Sequence, residues 1–247
     1  MNSKILRFIV ILLQILIAAA ELGICIYGIV LVEDINDSYP FITTVVRVAI
    51  ILLLTIAYFK TSVSKINPGN LFVIMALFFL TLAELSILSY FTTISGWSFI
   101  PPRALVRTVL GAQLMAHFAL IGYALQYQTN EHSSIVRLFV VGMTAVVFLV
   151  VLIPSSQEVS ILWKMPAPLT LLIVLAAVAA ISQLILAFTE TTRAGSLRQI
   201  ATLILIAGNF LTLVFNDLFV FQIIGTALFF IGGFVLMIIT LRNSVIL

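Results

Sequence analysis

The chain alternates from end to end between long apolar runs and short polar joints, and that alternation leaves room for one class of fold. A membrane-spanning helix needs about 20 mostly apolar residues, each adding 1.5 Å of rise. Eight runs reach that length: 5–32, 41–59, 70–92, 104–128, 135–154, 165–189, 197–215 and 218–241. Only Asn216 and Asp217 separate the last two, so a count of seven arises if they are read as one. A single helix over 197–241 would be about 67 Å long, twice the hydrocarbon thickness. A tight hairpin at Phe215-Asn216-Asp217 is therefore expected. The reading is an all-α, polytopic integral membrane bundle of eight transmembrane helices, one domain over 1–247 with no soluble domain. Composition removes the soluble alternatives, because only 9% of residues are charged and mean hydropathy is +1.29. A soluble domain carries about 25% charged residues.

Charge sets the expected orientation. With the N-terminus inside, the cytoplasmic segments collect Lys4, Arg7, Lys60, Lys65, Arg137, Arg193, Arg198 and Arg242, eight of the 12 basic residues. The opposite side collects Glu33, Asp34, Asp37, Glu158 and Asp217, with Arg103 and Lys164 as its basic loop residues. Basic residues mark the cytoplasmic side, so both termini are expected there, in a plasma membrane. The net charge of +3 then reads as topology, and nucleic acid is not an expected partner. Met1–Arg7, Phe8–Ile17 and Ala18-Ala19-Ala20 resemble a signal peptide with its cleavage site. The apolar run continues through Val32, which favours a retained helix.

Punctuation and small residues describe the expected packing. Pro40, Pro68, Pro101, Pro102, Pro154, Pro166 and Pro168 all fall in joints or at run ends, so broken helices are not expected. Ala19/Gly23, Ala112/Ala116 and Ala176/Ala180 lie four apart, and Gly225 and Gly232 share a stripe. Such residues let helix backbones approach closely. Cys25 is the single cysteine and makes no intrachain disulfide; neither metal-ligand spacing nor a cofactor motif is present.

Several polar residues interrupt the runs, and ionisable groups within a membrane are site candidates by default. At 1.5 Å per residue, Arg107 lies roughly 5 Å inside the fourth run and Arg47 roughly 9 Å inside the second. Glu84 and Glu21 also fall in the outer half of their runs. Arg103, Arg107, Gln113 and His117 span an arc of about 120° on the fourth helix. Gln14 and Glu21 share a stripe, as do Thr202, Asn209 and Asn216, and Gln222 opens the last run. One reading is structural. In it Arg47 and Arg107 snorkel to headgroups, or Glu84 pairs with Arg107 to lock two helices, and Gln14, Gln113 and Asn209 are hydrogen-bond glue worth about 1 kcal/mol each. The other reading is a cavity open to the outer face, walled by the first four runs and the seventh. It is lined by Glu21, Arg47, Glu84, Arg107, Gln113, His117 and Asn209, with Trp97, Phe99 and the Pro101-Pro102 corner as its rim. An amphipathic small molecule with an anionic or zwitterionic head suits such a pocket.

No GxSxG or HExxH signature occurs. The expected function is therefore a non-catalytic ligand-sensing or accessory module, in contact with membrane lipid and acting through a protein partner. One alternative is an intramembrane lipid-processing enzyme using two carboxylates and a histidine for acid–base work. Eight helices with cytoplasmic ends resemble, in layout, the lysoplasmalogenase-like family. That resemblance covers topology alone. Where the family places aspartates on facing helices, this chain offers Glu84 within a run and Asp217 in a joint. The other alternative is a small-solute or proton-coupled transporter using Glu21 and Glu84.

Overall fold

The computed structural model describes residues 3–32, 34–64, 68–128, 141–142, 144–146, 150, 164–215 and 218–245. These residues form helices and joints, with no strand among them. In chain order the helices are α1 (Ser3–Leu31), α2 (Ile35–Ser64), α3 (Pro68–Glu84), α4 (Ile87–Ser95), α5 (Pro102–Gln128), α6 (Pro166–Thr189), α7 (Arg193–Val214) and α8 (Phe219–Val245). Seven segments among the described residues are long and apolar enough to cross a membrane, α3 and α4 together making one of them, Leu71–Ser95. The eighth expected span, 135–154, lies almost wholly outside the described residues, as do Asn216 and Asp217. The division they were expected to make is present: α7 ends at Val214, Phe215 caps it, and α8 starts at Phe219. Below, "outer" denotes the side of the α1–α2 and α4–α5 joints.

The third apolar run is not one helix. It stops at Glu84 and resumes at Ile87, with Leu85 and Ser86 in a turn. Bonds three residues apart replace the α-helical repeat there: Ser86 N to Ala83 O at 3.2 Å, Leu88 N to Leu85 O at 3.0 Å and Ser89 N to Ser86 O at 3.0 Å. The expectation of unbroken helices, drawn from proline placement, is corrected here. No proline or glycine lies at the break. α3 packs along α5 and also against α2 and α1, and α4 continues onto α1 and α2 with its Leu88 in the apolar cluster of α5. Pro40, expected at a run start, sits inside α2, which begins earlier at Ile35.

Close backbone approach appears where α7 meets α8. A Cβ on Gly232 would lie 2.7 Å from the Ala201 carbonyl oxygen, and one on Gly208 would lie 2.6 Å from that of Gly225. The expected Gly225/Gly232 stripe is therefore a packing face. Ala19 and Gly23 are not: both are exposed, and a Cβ on Gly23 would meet nothing within 4 Å. The outward surfaces of α1, α6 and α8 carry Leu16, Val30, Phe188 and Phe230, an apolar exterior suited to lipid.

A buried arginine hub at a helix break

Arg47 stands on α2 three turns from its outer end and is 6% exposed. Its Nη2 lies 2.6 Å from Glu84 Oε1, at the last residue of α3. The same nitrogen donates to Asn209 Oδ1 at 2.7 Å, and Nη1 donates to the Thr212 hydroxyl, both on α7. The guanidinium carbon sits 5.0 Å from the centre of the Phe229 ring on α8. Asn209 Nδ2 then donates to Gln113 Oε1 on α5 at 2.9 Å. One side chain thus draws α2, α3, α7 and α8 together, with α5 one bond further out. The planar guanidinium suits this task, because it presents five donors in a fixed fork and keeps its charge. Gln222 Nε2 closes the outer edge by donating to the Thr212 carbonyl at 2.8 Å.

Seven residues inward of Glu21, Gln14 makes a second polar tie. The Thr55 and Thr81 hydroxyls donate to the Ile51 and Leu77 carbonyls of their own helices, so their oxygens are left to accept. Gln14 Nε2 donates to both, at 2.9 Å and 3.0 Å. The amide orientation follows, and Gln14 Oε1 is left without a hydrogen-bond partner. Towards the inner side, Gln199 Nε2 donates to the Tyr123 hydroxyl at 3.4 Å and Tyr58 is hydrogen-bonded with Thr240. Tyr58, Tyr123, Thr202, Leu77 and Leu236 help to line a small cavity of about 20 Å³. That is room for about one water molecule.

The sequence-derived candidates divide. Glu21, Arg47, Glu84, Gln113 and Asn209 are all buried, at no more than 6% exposure. Four of them are joined in the Arg47 hub. Glu21 is fully buried, yet neither carboxylate oxygen has a hydrogen-bond partner. His117 is buried but tied locally, its Nδ1 lying 2.8 Å from the Gln113 carbonyl of its own helix, so that nitrogen carries the hydrogen. Arg107 is exposed and stands apart from these groups, as does Arg103. The expected Glu84–Arg107 pair is therefore a Glu84–Arg47 pair. Arg103 and Arg107 occupy the first two turns of α5, at a height where a long side chain reaches headgroups. Gln113 and His117 lie deeper and are enclosed.

On its outer side the hub is covered. Cys25, Phe41, Ile87 and Phe91 form one buried apolar cluster, drawn from α1, α2 and α4. The Phe41 ring lies against Gly28, where a Cβ would come within 2.8 Å of three ring carbons. Outward again, Phe99 stacks on Phe91 at 5.8 Å and the Tyr90 hydroxyl donates to the Asp37 carbonyl at 2.8 Å. Arg47, Glu84, Asn209 and Gln113 are therefore joined beneath an apolar cap, in place of the open outer pocket expected from depth and rotation. Trp97 and Phe99, expected at its rim, are exposed on the α4–α5 joint.

Sequence reasoning passed over Thr55, Thr81, Thr212 and Phe229. A signal for two of them was present in spacing: Thr81 precedes Glu84 by one turn, and Thr212 follows Asn209 by one turn. No cluster of three or more metal-ligating side chains occurs among the described residues. Comparison with protein-family models, with curated proteins and with solved structures finds no match for the chain.

Proposed function

We propose that this multi-pass membrane protein is a non-catalytic ligand-sensing or accessory module of the plasma membrane, with the Arg47 hub as its responsive element. The observation that carries the reading is the meeting of a four-helix arginine hub with a helix break, both at Glu84. A buried charge pair resists partial disruption, because removing one partner leaves the other stranded. The hub therefore has two favourable conditions: intact, or with another anion on Arg47. An amphipathic small molecule with an acidic or zwitterionic head supplies that anion from the outer leaflet. α4 is the part that moves, since it is only 9 residues long and a two-residue turn separates it from α3. Its displacement repacks α1 and α2, and a protein partner reads the change.

Cys25 makes this testable without engineering, since it is the chain's single cysteine and lies in the cap. Protein in sealed vesicles is exposed to a membrane-impermeant maleimide with and without oleate or lysophosphatidylcholine. A several-fold rise in Cys25 labelling with either amphiphile is expected. Labelling that neither amphiphile changes would overturn the reading.

The enzyme alternative loses support from the same geometry, because Glu84 is held by Arg47 and His117 by its own backbone. Proton-coupled transport gains one observation, the discontinuous helix ending on an intramembrane acid. Its test is pH-driven solute uptake in vesicles, which Glu84→Gln then abolishes.

A further inference from the structure

Charge at the hub does not balance. Among the described residues in contact there, Arg47 is the one base; its Nη1 and Nη2 are committed to Glu84, Asn209 and Thr212, and its Nε has no hydrogen-bond partner. Two acids share it. Glu84 takes the ion pair, while Glu21 is fully buried with both oxygens unpartnered. The groups around Glu21 supply no cation. Its own helix offers the Cys25 thiol one turn away, α2 offers the committed Arg47, and α3 offers the Glu84 carboxylate, which acts on it as a like charge. On α4 the titratable side chain is Tyr90, whose hydroxyl is engaged at the Asp37 carbonyl. An unpaired carboxylate in hydrocarbon surroundings, with a second one nearby, is among the costliest arrangements a membrane bundle can hold.

We propose that Glu21 is a proton-binding site, its carboxyl holding one proton as the ligand that completes the hub's charge balance. One O–H bond forms on a carboxylate oxygen as one O–H bond of a solvent hydronium breaks, leaving water. A metal ion is the competing occupant, and the geometry disfavours it. Hard cations take several oxygen ligands at once. Glu84 Oε1, which accepts no hydrogen bond, is held in the ion pair by Arg47, and Gln14 Oε1 lies seven residues inward, about 10 Å along the helix. The Asn209 and Gln113 oxygens are already accepting hydrogen bonds. This inference stands apart from the sensing reading, since it concerns one carboxyl in the closed bundle and not what opens it.

The test is infrared spectroscopy of purified protein at neutral pH, reading the carbonyl stretch of neutral carboxylic acids. The wild type is expected to show the band of one buried acid, unchanged when sodium or lithium replaces potassium. Glu21→Gln should lose that band and keep its melting temperature, because a neutral amide replaces a neutral acid. Absence of the band in the wild type, its persistence in Glu21→Gln, or its removal by sodium or lithium would each overturn the proposal. Should Glu21→Gln fail to fold, wild-type protein is treated with dicyclohexylcarbodiimide, which takes the acid's proton and ends as an N-acylurea on that carboxyl. Peptide mass mapping with the adduct on Glu21 supports the site; adducts confined to other acids overturn it.

Discussion

Arg47 on α2 and Glu84 at the end of α3 meet through a 2.6 Å contact at the point where the third membrane span breaks. The acid is the last helical residue before the turn, so the ion pair and the break share one position. Holding Glu84 on Arg47 anchors the end of α3, and after the two-residue turn α4 packs on α1 and α2.

The pair is expected to behave as a buried one. Arg47→Met strands Glu84 and should cost about 3–5 kcal/mol in detergent unfolding measurements. Adding Glu84→Gln removes the stranded charge and should recover about 1–3 kcal/mol of that loss, as coupling between contacting residues does. Strictly additive losses would show that the two side chains do not act as a pair.

Arg107 provides the contrast. It is exposed on the outer turns of α5, with no place in the hub. Arg107→Gln should shift stability by no more than about 0.5 kcal/mol, the usual range for exposed positions. A loss comparable to that of Arg47→Met would place Arg107 in a buried network after all.

Small residues on two helices should respond oppositely. Gly208→Ala forces a methyl against the Gly225 carbonyl and the Phe229 backbone, an overpacking expected to cost about 1–3 kcal/mol. Gly23→Ala meets open space and adds helix propensity, so thermal stability should be retained or slightly raised. The comparison of the two melting temperatures checks both.

The cap over the hub rests on Phe91, which is 2% exposed among Cys25, Phe41 and Ile87. Phe91→Ala should cost about 3–5 kcal/mol through the cavity it leaves. It should also raise maleimide labelling of Cys25 severalfold in the absence of any amphiphile. Labelling equal to wild type would mean that α4 does not shield the hub.

Much of this architecture was legible in the residues themselves. The membrane class, seven of the expected spans and the division between α7 and α8 all follow from one local rule: hydrocarbon excludes charge, so run length and interruptions are read residue by residue. What the residues left undetermined is who meets whom. Arg47 and Arg107 are both outer-half arginines, and nothing local says which one turns inward. That choice depends on how each helix is rotated and how far its neighbours extend, which is settled by packing over the whole bundle. The break at Glu84 is of the same kind. No proline or glycine announces it, and the turn at Leu85 and Ser86 shows only once the span is packed against α1, α2 and α5. The unpaired Glu21 follows from the same assembly: depth showed two acids and two bases at one level, and tertiary structure brought in only one of the bases.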